Sequence, residues 1–483
     1  MKAERFVSLT AMICVISVLL LNSTGAVSGS GGAVNFSAHI APIIFNHCTS
    51  CHRPGEAAPF TLLNYNEVKK RGRLIADLTH SRVMPPWKAD EGSYEFKNER
   101  RLTAAQIELI QRWVADGMPE GDPLKLPAIP KFTEGWQLGQ PDLVVRMSEA
   151  YSVPAGGPDI YRNFVIPLGL TEDKWVRAVD FRPGARTVVH HSLFFLDTTG
   201  TARKLDAEDP QPGYNGGMGG GVINLRALLS GGNQNKDGGA ARSGSPLGNL
   251  GGWALGAQAR VLPDGLAFFV PKGADLILST HFHPSGKPEQ ELSTVGLYFA
   301  DQPPTKAFTG IQLPPLFGVF KGLDIPAGAR EYTIEDSFVL PVDVKAFGVG
   351  AHAHYLGKQM KLTATLPDGQ TKTLLWIRDW DFAWQDQYRF KEFVTLPKGT
   401  RLDVKVSYDN TADNPRNPSN PPRRVHWGEG STDEMGSMSL MVVAANESEM
   451  PLLRQTFVQH IRDAFTNRRG LPDLQRAERQ PGR

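Results

Sequence analysis

Met360-Lys361-Leu362-Thr363-Ala364-Thr365-Leu366-Pro367-Asp368-Gly369 sets Met360, Leu362, Ala364 and Leu366 on one face and ends in a Pro-Asp-Gly turn. An apolar side chain at every second residue is the period of a strand buried on one side. Leu402, Val404, Val406 and Tyr408 repeat the pattern downstream. Upstream, the short runs 142–147, 161–166, 188–196 and 276–281 are rich in β-forming residues and separated by Gly or Pro. Short strands with frequent turns predict two all-β sandwiches, over 141–305 and 306–446.

Composition agrees with this reading. Of 483 residues 41% are hydrophobic and 21% charged, which excludes a polytopic membrane protein and a mostly disordered chain. Lys and Arg number 52 against 50 Asp and Glu, a net charge of +2. That balance gives no electrostatic footprint for nucleic acid or an anionic membrane. The 49 Gly and 36 Pro follow no three-residue repeat, so they indicate turns rather than collagen. Fifteen of the glycines fall within 213–256, which predicts a long mobile loop there. At the N-terminus, Lys2 and Arg5 precede the apolar run Phe6 to Leu21, and small residues lead to Ala26-Val27-Ser28. This order predicts a secretory signal peptide over 1–28. The apolar run is short for a span of roughly 20 residues, so no stable membrane span is expected after cleavage.

Three cysteines are present, and Cys14 lies inside the signal. The other two stand in Cys48-Thr49-Ser50-Cys51-His52, the C-x-x-C-H pattern of c-type haem attachment. Two thiols three residues apart reach the two vinyl groups of one haem, and the adjoining imidazole lies under the iron. A redox dithiol would not need His52, and a zinc site would need further ligands nearby. A helix is expected over 34–46, and Thr103-x-x-Gln106 is a capping box opening another. Between them Met84-Pro85-Pro86-Trp87 offers a thioether on a rigid segment as second axial ligand. Met118, His39, His47 and His80 are rivals. Residues 29–125 resemble the class I c-type cytochromes, a small all-α domain. The Pro-spaced stretch from Pro123 to Pro130 opens a linker over 126–140. A final amphipathic helix, Leu452 to Arg469 with Phe457, Ile461 and Phe465 inward, begins the segment 447–483.

Six of the twelve histidines form three tight clusters in the β region. His281-Phe282-His283 and His352-Ala353-His354 have period-two spacing, which puts both rings of each pair on one strand face. Zinc, iron and copper sites all use that spacing. Neighbours such as His190 and His191 face opposite sides of a flat strand and meet one ion only at a bulge or twist. Met435, in Asp433-Glu434-Met435, is a soft donor that favours copper when joined to imidazole.

In this order the clusters resemble the type II copper, ascorbate-dependent monooxygenases, the family of peptidylglycine α-hydroxylating monooxygenase and dopamine β-monooxygenase. The resemblance covers about residues 140 to 446. It rests on His190-His191, His281-Phe282, His352-Ala353-His354-Tyr355-Leu356-Gly357 and Asp433-Glu434-Met435. It implies two jelly-roll-like sandwiches and two mononuclear coppers. An electron-relay copper would take His190, His191 and His281, with His283 as a spare candidate. An oxygen-binding copper would take His352, His354 and Met435, with His426 nearby. The chain departs from the family in three ways. No cysteine remains for a disulfide in the β region. Gly350 stands where peptide-amidating members carry arginine, and Ser437 and Ser439 stand where they carry asparagine and tyrosine. A peptide carboxylate is left without an evident partner.

The expectation is therefore a multidomain periplasmic or secreted bacterial enzyme, with a small all-α cytochrome c domain ahead of two all-β sandwiches. It would hydroxylate a C–H bond of a small-molecule substrate with O2, carrying two copper ions and one covalent c-type haem. Electrons would come from an ascorbate-like reductant or a periplasmic redox protein and enter through the haem. The alternative is a non-catalytic haem–copper electron-transfer or copper-binding protein.

Overall fold

The computed structural model describes residues 33–56, 58–132, 135–216, 249–254 and 257–467. The expected signal peptide, most of the glycine-rich stretch and the last residues lie outside them. Strands dominate, and among the described residues α-helices are confined to the front of the chain, to Thr201–Glu208 and to Met450–Thr466. No helix among the described residues is long and apolar enough to cross a membrane.

At the front, a short π-helical turn, Phe36–Ile40, runs into the helix Ala41–His47. The capping box is formed: Thr103 accepts from the Gln106 N–H, Gln106 reaches back to the Thr103 N–H, and the helix Ala104–Ala115 follows. Two further helices, Tyr65–Lys70 and Gly72–His80, escape the sequence reading. The first is a single polar turn with one buried residue, Val68, too short for periodicity to register. Ile40, Ile44, Ile110 and Trp113 close a core among these helices.

Two pairs of antiparallel sheets follow. In the first pair one sheet orders its strands Ile160–Pro167, Asp275–Phe282, Val189–Asp197, Asn249–Ala254. A five-stranded sheet built on Lys174–Arg182 faces it across a shared core containing Phe181, Phe194, Leu278 and Leu297. The strand Asn249–Ala254 lies in the stretch expected to be a mobile loop. It pairs there because Gly252 has no Cβ: one would meet the Ser192 carbonyl oxygen at 2.8 Å. In the second pair one sheet orders Phe308–Leu313, Gly436–Ala444, Val344–Ala353, Gln387–Leu396. Its partner contains Gly357–Thr365 and Arg401–Tyr408, the two alternating runs, with Met360, Leu362, Leu402 and Val404 all buried. The helix Met450–Thr466 closes this core with Leu453, Phe457 and Ile461.

The two pairs are pressed together. Phe308, Phe347 and Val443 project from the outer face of the second pair's first sheet into the core of the first pair. Burying that face at about 25 cal/mol per Å2 of apolar surface favours one fixed arrangement over a flexible tether. The histidine-bearing strand ends are therefore brought face to face.

Candidate metal centre

The strand Val189–Asp197 pairs with Asp275–Phe282 in a broken register. Val189 lies opposite Phe282 and His191 opposite His281, so His190 is an extra residue in the ladder. This is the bulge that two adjacent histidines require, since it turns the His190 ring to the side of its neighbour. His191 and His281, as a cross-strand pair, already share the outer face of the sheet. The result is a convergence of Nδ1 atoms: His190 to His191 at 3.1 Å and His281 to His191 at 3.4 Å. Ligand atoms of all three lie within 4.8 Å of one another. Tetrahedral bonds of about 2.0 Å give ligand–ligand edges of roughly 3.3 Å, so the spacing suits one small ion.

Each ring is held. His281 Nε2 donates to the Asp159 carboxylate at 2.9 Å, which leaves Nδ1 with its lone pair toward the other two rings. Tyr161 stacks flat on His281, with ring centroids 4.3 Å apart and planes 7° apart. His283 turns away: its Nδ1 donates to the other Asp159 oxygen at 2.8 Å, and its side chain is 63% exposed. The structure gathers His281, and not His283, with His190 and His191. Burial first, then His281, lowers the His190 pKa to about 3 and holds His191 well below 6.5. Both rings are neutral at physiological pH.

The second set lies on the strand Val344–Ala353 and just beyond it. Its ladder with Gly436–Ala444 places His352 opposite Ser437 and Ala353 opposite Gly436. His354 and Met435 are the next residues beyond this last pair, and strand alternation carries His354 toward the face of His352. Met438 pairs with Ala351 and belongs to the opposite, core face. His352 Nδ1 donates to the Gln385 side-chain oxygen at 2.6 Å, and His354 Nδ1 donates to the Asp433 carbonyl at 3.1 Å. Both bonds reserve Nε2 for a ligand, and His352 Nε2 is buried with no hydrogen-bond partner. A buried, unpartnered ring nitrogen is costly unless something binds it. Burial first, opposed by the Gln385 bond, lowers His352 to about 4.

Glu434 ties this end of the sheet together. Its carboxyl accepts from the His354 N–H at 3.0 Å, the Leu356 N–H at 2.6 Å and the Met435 N–H at 3.1 Å. Burial outweighs these donors and lifts its pKa to about 8. The His426 carbonyl accepts from the Glu434 N–H at 3.1 Å, but its imidazole is exposed and faces Asp324 at 3.3 Å.

Phe382 lies between the two sets. Its ring is 4.9 Å from His190, 5.8 Å from His281 and 5.4 Å from His354, centroid to centroid. Sequence reading missed Phe382, Gln385 and Asp159, all on loops without periodic pattern. The one signal was the aromatic cluster Trp380-Asp381-Phe382-Ala383-Trp384, unusual in a loop.

In the helical unit, the thiols of Cys48 and Cys51 are free, and His52 Nδ1 donates to the Phe60 carbonyl at 3.0 Å, which leaves Nε2 outward. Burial first, then Cys51, pushes the Cys48 thiol up to about 12. A redox dithiol needs a thiolate near neutral pH, and this environment disfavours one at Cys48. Met84 lines a cavity of about 360 Å3 with Thr79, Arg82, Leu102 and Ile107. Its rivals are otherwise engaged or exposed. The Met118 sulfur packs on Gly72 and Trp113, His39 Nδ1 accepts from the Asn35 N–H, His47 meets Gln106, and His80 is exposed.

No family model matches this chain, and no curated protein matches it. Among solved structures it is similar to the major capsid protein P2 of bacteriophage PM2, at 10% identity over 62% of this chain and 96% of that one, with a TM-score of 0.26. The VP2 subviral particle of infectious bursal disease virus follows at 10% identity, 68% and 77% coverage, and a TM-score of 0.18. Neither superposes closely enough to define the fold.

Proposed function

We propose that this chain is a copper-dependent monooxygenase of the type II, ascorbate-dependent kind, with electron input through a c-type haem held by Cys48, Cys51, His52 and Met84. On this reading the two pairs of sheets are jelly-roll-like sandwiches and the front helices a class I cytochrome domain. The observation that carries it is the pair of differently prepared imidazole sets. One offers three Nδ1 atoms at a bulge. The other offers two Nε2 atoms beside the buried thioether residue Met435. Imidazole with thioether suits a metal that cycles between Cu(I) and Cu(II), and a three-imidazole set suits a second copper that handles only electrons.

Copper held by His352, His354 and Met435 would supply the O2 chemistry by which a substrate C–H bond becomes C–OH. The chain's own residues do the rest. Gln385 and the Asp433 carbonyl fix the tautomers of His352 and His354, and Glu434 holds the Met435 backbone against the His354 strand. Phe382 places an apolar ring between the sets, against His190, His281 and His354. No side chain here is placed as a general base. Gly350, Ser437 and Ser439 offer no cation for a peptide carboxylate, which favours a neutral small-molecule substrate. Export to an oxidising compartment, where haem is attached to such cysteines, is part of the same proposal.

Elemental analysis of the purified, copper-loaded protein should approach two coppers and one iron per chain. His352→Ala/His354→Ala should lower copper to one, and Cys48→Ser/Cys51→Ser should abolish haem staining on a denaturing gel. O2 uptake that depends on an added reductant and an organic substrate separates the enzyme from a non-catalytic haem–copper carrier, which would hold the same metals without substrate-dependent uptake.

A further inference from the structure

Asp159 precedes the strand Ile160–Pro167 in the first pair of sheets, and its side chain is only 10% exposed. Among the described residues its partners are two imidazoles and one hydroxyl, with no Lys or Arg in ion-pair reach. One oxygen accepts from His281 Nε2 at 2.9 Å and from the Ser431 hydroxyl at 2.5 Å, and the other accepts from His283 Nδ1 at 2.8 Å. Burial pushes the Asp159 pKa up, but bonds from His281, Ser431 and His283 outweigh it and hold the carboxyl below its ordinary value.

Ser431 belongs to the second pair of sheets. It sits in the loop between the bridge strand Val425–His426 and the strand Gly436–Ala444. That loop is short and internally bonded: Asp433 N–H donates to the Gly430 carbonyl at 2.9 Å, and Gly428 N–H to the Glu434 carbonyl at 3.1 Å. The same loop supplies the carbonyl that orients His354, and it ends in Met435. A displacement of Ser431 is thus passed to two ligands of the second site.

We propose that Asp159 is a positioning residue shared by the two metal sites: it orients His281 in the first site and, through Ser431, holds the loop that carries Met435 of the second. The inference rests on the copper reading given above and deepens it. Two ligand sets on separate sheet pairs need a fixed separation, and apolar packing alone fixes faces better than it fixes loop tips. A buried carboxylate with a directional bond to each side supplies that registration.

Four variants test this, with copper alone as the probe. Affinity at each site is read by competition with a chromophoric Cu(I) chelator, and the reduced protein is examined for sulfur scattering from copper. Asp159→Asn should weaken copper at His190, His191 and His281 by about 10- to 100-fold, alter the Cu(II) hyperfine pattern there, and reduce sulfur scattering at the other site. Ser431→Ala should leave the first site within about threefold while weakening Cu(I) at the second by about tenfold. Ser431→Thr, which keeps the hydroxyl, should restore it. His283→Ala should leave both sites as in the wild type. Unchanged first-site affinity in Asp159→Asn, or unchanged second-site affinity and sulfur scattering in Ser431→Ala, overturns the inference. Should Asp159→Asn fail to fold, the Ser431 pair decides alone. A wild type that holds no copper at the three histidines overturns the underlying reading and this inference with it. A wild type with two coppers and unresponsive variants overturns the inference only.

Discussion

At the residue scale, the chemistry of this protein turns on which ring nitrogen each histidine keeps free. Asp159 takes Nε2 of His281, whereas Gln385 and the Asp433 carbonyl take Nδ1 of His352 and His354. The two sets therefore present opposite nitrogens. A common cause, burial, also lowers the pKa of His190 to about 3 and of His352 to about 4, with His191 and His354 well below 6.5. The consequence for the metal-free protein has a definite sign. Below about 6.5 the unfolded chain gains protons that the folded one refuses, so the histidine contribution, present above 6.5, is lost as pH falls. Glu434, raised by burial to about 8, acts in the opposite sense: its contribution is full below 4.5 and fades as pH rises through 8. Four histidines outweigh one carboxyl in the acid window. The denaturation midpoint of metal-free protein should therefore climb from pH 4.5 to about 6.5 and slip back toward pH 8. A midpoint that is flat from pH 4.5 to 6.5 would show that the rings are not buried as described.

At the element scale, one inserted residue makes the first site. Without the bulge, His190 and His191 would point to opposite sides of the sheet, as any neighbours on a regular strand do. Because His190 is the unpaired residue of that ladder, His190→Ala should preserve the strand pairing. The expected outcome is a loss of one copper per chain with a Tm change of only a few degrees, in line with roughly 1 kcal/mol or less at a site that leaves the ladder intact. Circular dichroism melting beside elemental analysis checks both halves. Deleting His190 outright should remove the bulge while keeping Val189 opposite Phe282 and His191 opposite His281, so that copper is lost here too and the strand pairing becomes regular. The second site needs no such device, because period-two spacing on a regular strand already aligns His352 and His354.

At the scale of the whole molecule, the helical front is not a passenger on a string. The segment after Met84 runs along the second pair of sheets: Asp90 N–H donates to the Trp376 carbonyl, Lys97 N–H to the Arg389 carbonyl, and the Lys391 N–H returns to the Glu95 carbonyl. Phe96 stacks on Phe390 at 5.4 Å and is 1% exposed inside that core, with Ala89 beside it and Trp87 packed against Tyr388. Glu56, five residues past Cys51, pairs with Arg186 of the first pair of sheets at 2.6 Å. The front thus touches both β units. Truncating a buried Phe to Ala costs about 3–5 kcal/mol, so Phe96→Ala should destabilise the second pair of sheets by about that much, although the residue precedes it by over two hundred positions. Urea unfolding followed by the fluorescence of the tryptophans at 376, 380 and 384 reads this; an unchanged midpoint would mean that the front docks without sharing the core.

Much of this architecture was written locally. Alternation marked Met360 to Leu366 and Leu402 to Tyr408 as strands, the Thr103–Gln106 capping box marked a helix start, and the spacing of His352 and His354 placed two rings on one face. Those features depend only on backbone periods and on neighbours a few residues away. The Cys48–His52 motif and Met435 were legible as candidate ligands for the same reason, since chemistry-bearing residues announce themselves by type. What only the tertiary structure decided is how distant pieces meet. The bulge at His190 exists because Phe282 and His281 across the ladder set the register, and the choice of His281 over His283 follows from the same ladder, which sets His281 opposite His191 ninety residues earlier. Phe382, Gln385 and Ser431 carry no local signature, because a loop side chain acquires its role from the surface it is pressed against. Apolar burial brought the two sheet pairs together, and that contact, non-directional and invisible to any window of sequence, is what turned scattered histidines into facing sites.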